Sequence, residues 1–445
     1  MMGNGFKDIG LYMCDRKMIY LCLAHMSDTG EEQKYVKEAF DTNWVVPLGP
    51  NVNAFEQSLE AFVSSHDPRA SAHKVVALSA GTAAIHLALL ACGVGPGDEV
   101  CVQSFTFCAS SHPITYLGAT PVFIDSERET WNMDPDLLEQ AIIDRKEKTG
   151  RYPKAIVPVA LYGMPYDGER IMSIAHKYGI PVVEDAAEAL GSRYKGQMLG
   201  TLGRFGVLSF NGNKMITTSG GGALICNEEK LGQKSAEAWR QEILWYATQA
   251  RDAYPYYQHT AIGYNYRMSN ICAGIGRGQM TVLEAHIAHH KHVQAMYKEL
   301  LRDVEGVTLH EAPSADYDSN YWLCTIRLAP SLRIKGQEKA YQAEIRTAVG
   351  GAANTLQVAE ALTTDCQPNA NVEALRLFLL DRKVEARPVW KPMHKQPVYA
   401  NAPAYLNGVS EEIFKEGICL PAGPMVTADD VRYIASCLKA SILDA

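Results

Sequence analysis

Between Lys74 and Asn227 the chain repeats one local pattern: a short run rich in β-branched residues, a turn, then a stretch with helically spaced apolar residues. KVVALSA runs into GTAAIHLALLACG, where Ile85, Leu89 and Cys92 share helical spacing and Gly93 closes the helix. EVCVQSF and TPVFID are β-rich, and DPDLLEQAI is a helix opened by Asp134 and Pro135. AIVPVALYG reads as a strand, GERIMSIAHKYG as a helix stopped by Gly179, and IPVVEDAA as a strand ending in charge. GVLSFNGNKMI and GGALICN read as two further strands. Strands that alternate with helices in this way predict an α/β fold, a mostly parallel sheet with helices on both faces. In such sheets ligands bind outside the carboxyl ends of the strands, so chemistry is sought there.

The pattern changes near Met280. TVLEAHIAHHKHVQAMYKELLRDV predicts one long helix leading into a smaller C-terminal α/β domain. The expected organisation is an N-terminal extension over 1–25, a large domain over 26–285 and a small domain over 286–445. Residues 331–371 read as an inserted segment, with a Gly-Gly pair and Ala-rich sequence. Ahead of the first strand, EEQKYVKEAFDTNW predicts an amphipathic helix, with Thr29 and Glu32 spaced as a capping box. With 42 Lys and Arg against 50 Asp and Glu, the 445-residue chain carries a formal charge of −8. That charge disfavours a nucleic-acid partner, whose phosphates require a basic face. No apolar run approaches the ~20 residues of a membrane span, and the first residues carry charges throughout, unlike a signal peptide. A cytoplasmic location is expected. The eleven cysteines are scattered without a C-x-x-C pair and read as reduced, small buried hydrophobes.

Four features carry chemistry. Lys214 lies in SFNGNKMITTSGGGALI, and a lysine is rarely buried without a purpose. A desolvated amine can attack an aldehyde, and the glycines at 220–222 let backbone approach a flat ligand. A surface-turn lysine beside a Gly-rich hairpin gives the same local pattern. Asp185 ends the strand IPVVED, where it serves either as a helix N-cap or as a carboxylate facing a ring N–H. The turn Ser79-Ala80-Gly81-Thr82 opens a helix whose free N–H groups suit a phosphate, with Thr82 and Ser209 as hydroxyl donors. Simple capping by Ser79 or Thr82 is the alternative. In SFTFCASSH, Phe107 is placed to stack on a planar ring or to enter the core.

In this order the features resemble the DegT/DnrJ/EryC1/StrS family of sugar aminotransferases. These belong to the fold-type I, aspartate aminotransferase-like enzymes that use pyridoxal 5'-phosphate (PLP). The resemblance rests on NWVVPLGPNVNAFE, LSAGTAAIHLAL, GVGPGDEV, FTFCASSHPITYLGATPVFID, PVALYGMPYD, PVVEDAAEALGS, SFNGNKMITTSGGGAL, IGYNYRMSNI and EARPVWKPMHKQPVY. It covers the chain from about Ile19 onward. It implies that Lys214 forms the Schiff base and Asp185 pairs with the ring nitrogen. Gly81, Thr82 and Ser209 would hold the phosphate, and Phe107 would stack on the ring. Glu188 stands where the family often has Gln or His, near the cofactor's phenolic oxygen, and its role is open. The family's dimers share their active sites, so Asn265 would reach the neighbouring subunit's phosphate; alone, it reads as a turn residue.

EARPVWKPMHKQPVY is similar to the same segment of nucleotide-sugar 4-aminotransferases of glycan biosynthesis. There Arg387, Lys391 and His394 would meet the sugar, its diphosphate or the glutamate carboxylate, although a solvated turn between prolines fits the segment equally. The reaction implied is transfer of the amino group of L-glutamate to C4 of a 4-keto-6-deoxy sugar, expected to be UDP-linked, by a homodimer. A PLP-dependent sugar dehydratase and a non-catalytic regulatory protein on the same fold are the rivals. The family's dehydratases carry His in place of the lysine, and a regulator need not keep both Lys214 and Asp185.

Overall fold

A computed structural model describes residues 16–65, 72–228, 234–340 and 366–443. Its centre is a run of eight strands. On one side lie β1 (His73–Leu78), β9 (Gly222–Asn227), β8 (Phe205–Ser209) and β5 (Val183–Asp185), in that order. On the other lie β4 (Ala155–Val157), β2 (Glu99–Gln103), β3 (Thr120–Ile124) and β14 (Ala404–Tyr405). Parallel bridges Ile156 to Val182 and Val159 to Asp185 join the halves. Pro158 has no N–H to give the ladder, yet its carbonyl accepts from Asp185 N–H at 2.9 Å. Only β9 runs against its neighbours, antiparallel to both β8 and β1. The expected mostly parallel sheet in an α/β fold is therefore observed, with one reversed strand.

The local signals explain the flanking helices. Asp134 caps Pro135–Thr149 by accepting from the N–H groups of Asp136 and Leu137. Asp167 caps Gly168–Tyr178, which Gly179 ends in the left-handed region at φ 67°. The first helix departs from expectation. It begins at Glu31 after Gly30, and Thr29 makes no capping box. Ser27 takes that place: its Oγ accepts from Glu31 N–H, and Glu32 accepts from Ser27 N–H at 2.8 Å and from Ser27 Oγ–H. The local turn sets the cap five residues back instead of three.

The second sheet is antiparallel, in the order β10 (Val307–Leu309), β12 (Cys324–Leu328), β15 (Gly417–Leu420), β13 (Arg387–Pro388). Helices Leu283–Leu301, Ala370–Asp381 and Ala428–Ser441 contribute to the same apolar cluster. A ribbon of β6 (Arg193–Tyr194), β7 (Gln197–Met198) and β11 (Tyr317–Asp318) adjoins the large sheet.

The chain crosses the expected boundaries twice. Residues 16–25 are not a loose extension: Ile19 is buried in the second core and bridges Val384, and Ala24 N–H donates to Gly212 carbonyl. In the C-terminal part, Met393 and Tyr399 join the large core, and β14 forms the edge of the large sheet. Residues 1–15, and 341–365 of the expected insertion, lie outside the described residues. Among the described residues no helix is long and apolar enough to cross a membrane.

The middle of the large sheet depends on one buried carboxylate. Glu184 accepts from the N–H groups of Gly200, Leu202 and Gly203 and from Tyr166 Oη–H, at 2.6–3.0 Å. Replacing it by Ala leaves four donors unmet, at about 1–3 kcal/mol for an unsatisfied group. Glu184→Ala is expected to lower the thermal midpoint by about 5 °C or more, measured by circular dichroism; an unchanged midpoint would show that the loop 200–203 re-pairs by itself.

Candidate active site

Asp185 is the last residue of β5, and the neighbouring parallel strand β8 leads through Ser209 into the turn that carries Lys214. Both side chains therefore emerge at the same sheet edge, the carboxyl end where ligands are expected. Asp185 is buried and caps no helix. Ser110 Oγ–H donates to its Oδ2 at 2.6 Å and Ala187 N–H to its Oδ1 at 3.1 Å. Burial pushes its carboxyl above the usual range, while those two bonds and the Lys214 charge pull the other way.

The Lys214 side chain is 13% exposed and Glu188 5% exposed, with Nζ 3.3 Å from Glu188 Oε1. The other Glu188 oxygen accepts from Tyr162 N–H at 2.8 Å. Burial raises the Glu188 carboxyl as well, opposed chiefly by the Lys214 charge. On a further side Nζ stands 3.9 Å from the centre of the Trp322 ring. Nothing in the local sequence marked Trp322, Tyr162 or Ser110. Folding brings Trp322 in from the start of the second sheet.

The helix Gly81–Ala91 opens beside this group with no side-chain cap, so neither Ser79 nor Thr82 takes up its first N–H groups. Its start packs on the end of β8: a Cβ on Gly81 would lie 3.3 Å from Ser209 Cβ. Gly222 presses still closer from β9, where any side chain would overlap the Gly81 nitrogen. An uncapped helix end with a serine beside it suits a phosphate dianion. Phe107 is 48% exposed, and its ring centre lies 5.1 Å from that of Trp390. Two polar atoms nearby, Asn213 Oδ1 and Trp390 Nε1, are buried without a hydrogen-bond partner among the described residues. The residues present thus fit PLP: a phosphate cradle, an exposed ring face, a buried carboxylate and a primary amine.

The other expected residues divide. Arg387 lies on β13, half-exposed and paired with Glu385 at 2.7 Å. Lys391 Nζ donates to the Cys366 carbonyl at 2.8 Å. The His394 side chain is 5% exposed, its Nδ1 2.7 Å from Ser104 Oγ and its Nε2 3.2 Å from Glu411 Oε1, so its ring fastens the segment to the residue that follows β2. Asn265 is exposed on the strip Tyr264–Arg267, which bridges to Thr248 and Leu78.

The model of the DegT/DnrJ/EryC1/StrS aminotransferase family matches residues 26–352 and 337–439. The chain belongs to this family. It is 42% identical to EpsN of Bacillus subtilis (strain 168) over 93% of each chain. It is 34% identical to the GDP-perosamine synthase of Escherichia coli O157:H7, over 95% of this chain and 98% of that one. The PLP form of Spr1654 from Streptococcus pneumoniae has the same fold, with a TM-score of 0.77, 24% identity, and 94% and 97% of the two chains covered. Members of the family are PLP-dependent aminotransferases, and so is this chain.

Because burial disfavours the charged form of Asp185, the cofactor-free fold holds this carboxylate at a cost whenever the pH lies above its raised folded value. Asp185→Asn removes that cost. The cofactor-free variant is expected to melt about 1–3 °C above the unaltered protein at pH 8, with the gap narrowing as the pH falls toward the raised folded value of Asp185. A melting point equal to or below that of the unaltered protein at pH 8 would show that the two hydrogen bonds outweigh desolvation.

Proposed function

We propose that this aminotransferase moves the amino group of L-glutamate to C4 of a nucleotide-linked 4-keto-6-deoxy sugar, in the synthesis of a surface glycan. The observation that carries the reading is the meeting of Lys214, Asp185, Glu188 and the uncapped helix end at one edge of the sheet. The likeness to a GDP-perosamine synthase over nearly the full length of both chains supports a nucleotide-sugar acceptor. That relative's name carries GDP where the family resemblance led to an expectation of UDP, so product mass with each nucleotide sugar decides the nucleotide.

In this reading Gly81, Thr82 and Ser209 would hold the phosphate, Phe107 would cover one ring face, and Asp185 would keep a proton on the ring nitrogen. Bound PLP supplies an electron sink for the pair left on the reacting carbon. Lys214 Nζ would hold the cofactor and, when free, would serve as general base and then general acid for the proton on the amino donor's Cα. With the sugar it runs the same transfer in reverse. Glu188 faces the amine throughout. Arg387 and Lys391 supply cationic groups for the diphosphate or the donor carboxylate, and His394 positions their segment through Ser104 and Glu411. Asn265, exposed in the single chain, serves the phosphate of a second subunit in a homodimer.

Product mass after incubation with glutamate and UDP-, GDP- or dTDP-linked 4-keto sugars is the direct test. One acceptor should gain an amine, and Lys214→Ala should lower turnover about a thousandfold or more. No aminated sugar from any of the three, or full turnover by the alanine variant, overturns the reading. Asn265→Ala is expected to weaken cofactor retention about tenfold on dialysis, read from bound PLP absorbance; unaltered retention removes Asn265 from the site.

A further inference from the structure

We propose that Glu188 and the indole face of Trp322 form a berth that receives the Lys214 amine whenever it is not joined to the cofactor, so that Trp322 is a positioning residue of the reaction. The inference rests on the reading of Lys214 as the cofactor lysine and adds a residue to it. A buried ammonium has three N–H directions to satisfy. Glu188 Oε1 meets one at 3.3 Å. The Trp322 face, 3.9 Å away at its centre, presents the negative side of its quadrupole to the same charge.

Both walls are fixed by one amide. Asn320 Oδ1 accepts from Trp322 N–H at 2.9 Å, and Asn320 Nδ2 donates to the carbonyls of Glu188 and Leu190 at 3.1 and 3.0 Å. The indole N–H donates to the Asn213 carbonyl at 2.6 Å, the residue before Lys214. Trp322 is buried, and the Tyr162 ring lies nearly parallel to it, 6.4 Å away. Among the described residues, Asp185 and Cys22 also feel the charge of the amine. Burial pushes the Cys22 thiol up to about 12, so it stands there uncharged. The berth thus gives the released amine a defined seat at the sheet edge that also carries Asp185, where a free side chain would sample many rotamers.

The test uses the cofactor-free protein. Lys214 is labelled with trinitrobenzenesulfonate at pH 8, and its rate is read by peptide mass against exposed Lys34 as the internal control. Glu188→Gln should label at Lys214 about tenfold faster, because the amine loses its counter-charge. Trp322→Leu should label about two- to fivefold faster, and Trp322→Phe, which keeps an aromatic face, should stay near the unaltered rate. A Glu188→Gln rate equal to that of the unaltered protein overturns the berth. A Trp322→Leu rate equal to that of the unaltered protein removes Trp322 from it. If Trp322→Leu does not fold, Trp322→Phe decides the indole's part: a rate above that of Glu188→Gln overturns it, and a rate near the unaltered one supports it. A separate arm reduces the PLP-loaded protein with borohydride and maps the fixed cofactor. Cofactor on another residue rejects the reading of Lys214 itself, whereas cofactor on Lys214 with unchanged labelling rates rejects the berth alone.

Discussion

A carboxylate taken out of water is costly unless donors or a cation reach it, and the middle of this sheet buries three within five residues. Each is met differently. Glu184 is surrounded by three backbone N–H groups and a tyrosine hydroxyl, a closed set that holds the loop 200–203 against β5. Asp185 is given two donors, which leaves part of its capacity for a ligand. Glu188 is given one backbone N–H and the Lys214 amine. The gradient runs from structural to chemical along one short stretch. It follows from position: Glu184 lies within the strand, Asp185 at its carboxyl end, and Glu188 in the turn beyond.

The reversed strand serves the same site. With β9 antiparallel to β8, the segment between them turns back on itself at the carboxyl edge instead of crossing a face of the sheet. Lys214 sits in that turn. The return also brings Gly222 against the backbone at Gly81, so the start of the helix Gly81–Ala91 is held beside Ser209. A βαβ crossover in this place would carry the lysine away over the sheet, and the helix end would lose its backing.

Local rules were legible wherever one residue decides a structure. Asp134 and Pro135 start a helix, Gly179 ends one, and the alternation of strand and helix yields the sheet. Lys214, Asp185, Gly81 and Ser209 stood out because strand ends and helix starts can be read from the chain. Strand direction could not be read, because GGALICN has the same composition whichever way it runs. Nor could the return of Ala404–Tyr405 to the large sheet, since two residues make too short a pattern to recognise. Trp322, Tyr162 and Ser110 escaped for another reason. Each acts through a contact between distant segments, and an aromatic in NYWLC reads as core until its neighbour is known to be a lysine.

That contact also ties the two sheets together. Asn320 and Ser319 precede β12, yet their bonds run to the large domain: Asn320 N–H donates to Ser192 Oγ, and Ser319 Oγ–H donates to the Gly163 carbonyl. Gly163, at φ 88°, admits nothing larger, since a side chain there would overlap the Asn320 amide. The seam between the sheets therefore passes directly behind Glu188 and Trp322. A shift of the second sheet along this seam would draw Asn320 off the Glu188 carbonyl and tilt the indole from the amine. The geometry around Lys214 is thus set by how the two sheets are fastened as much as by the strand ends that first point to it.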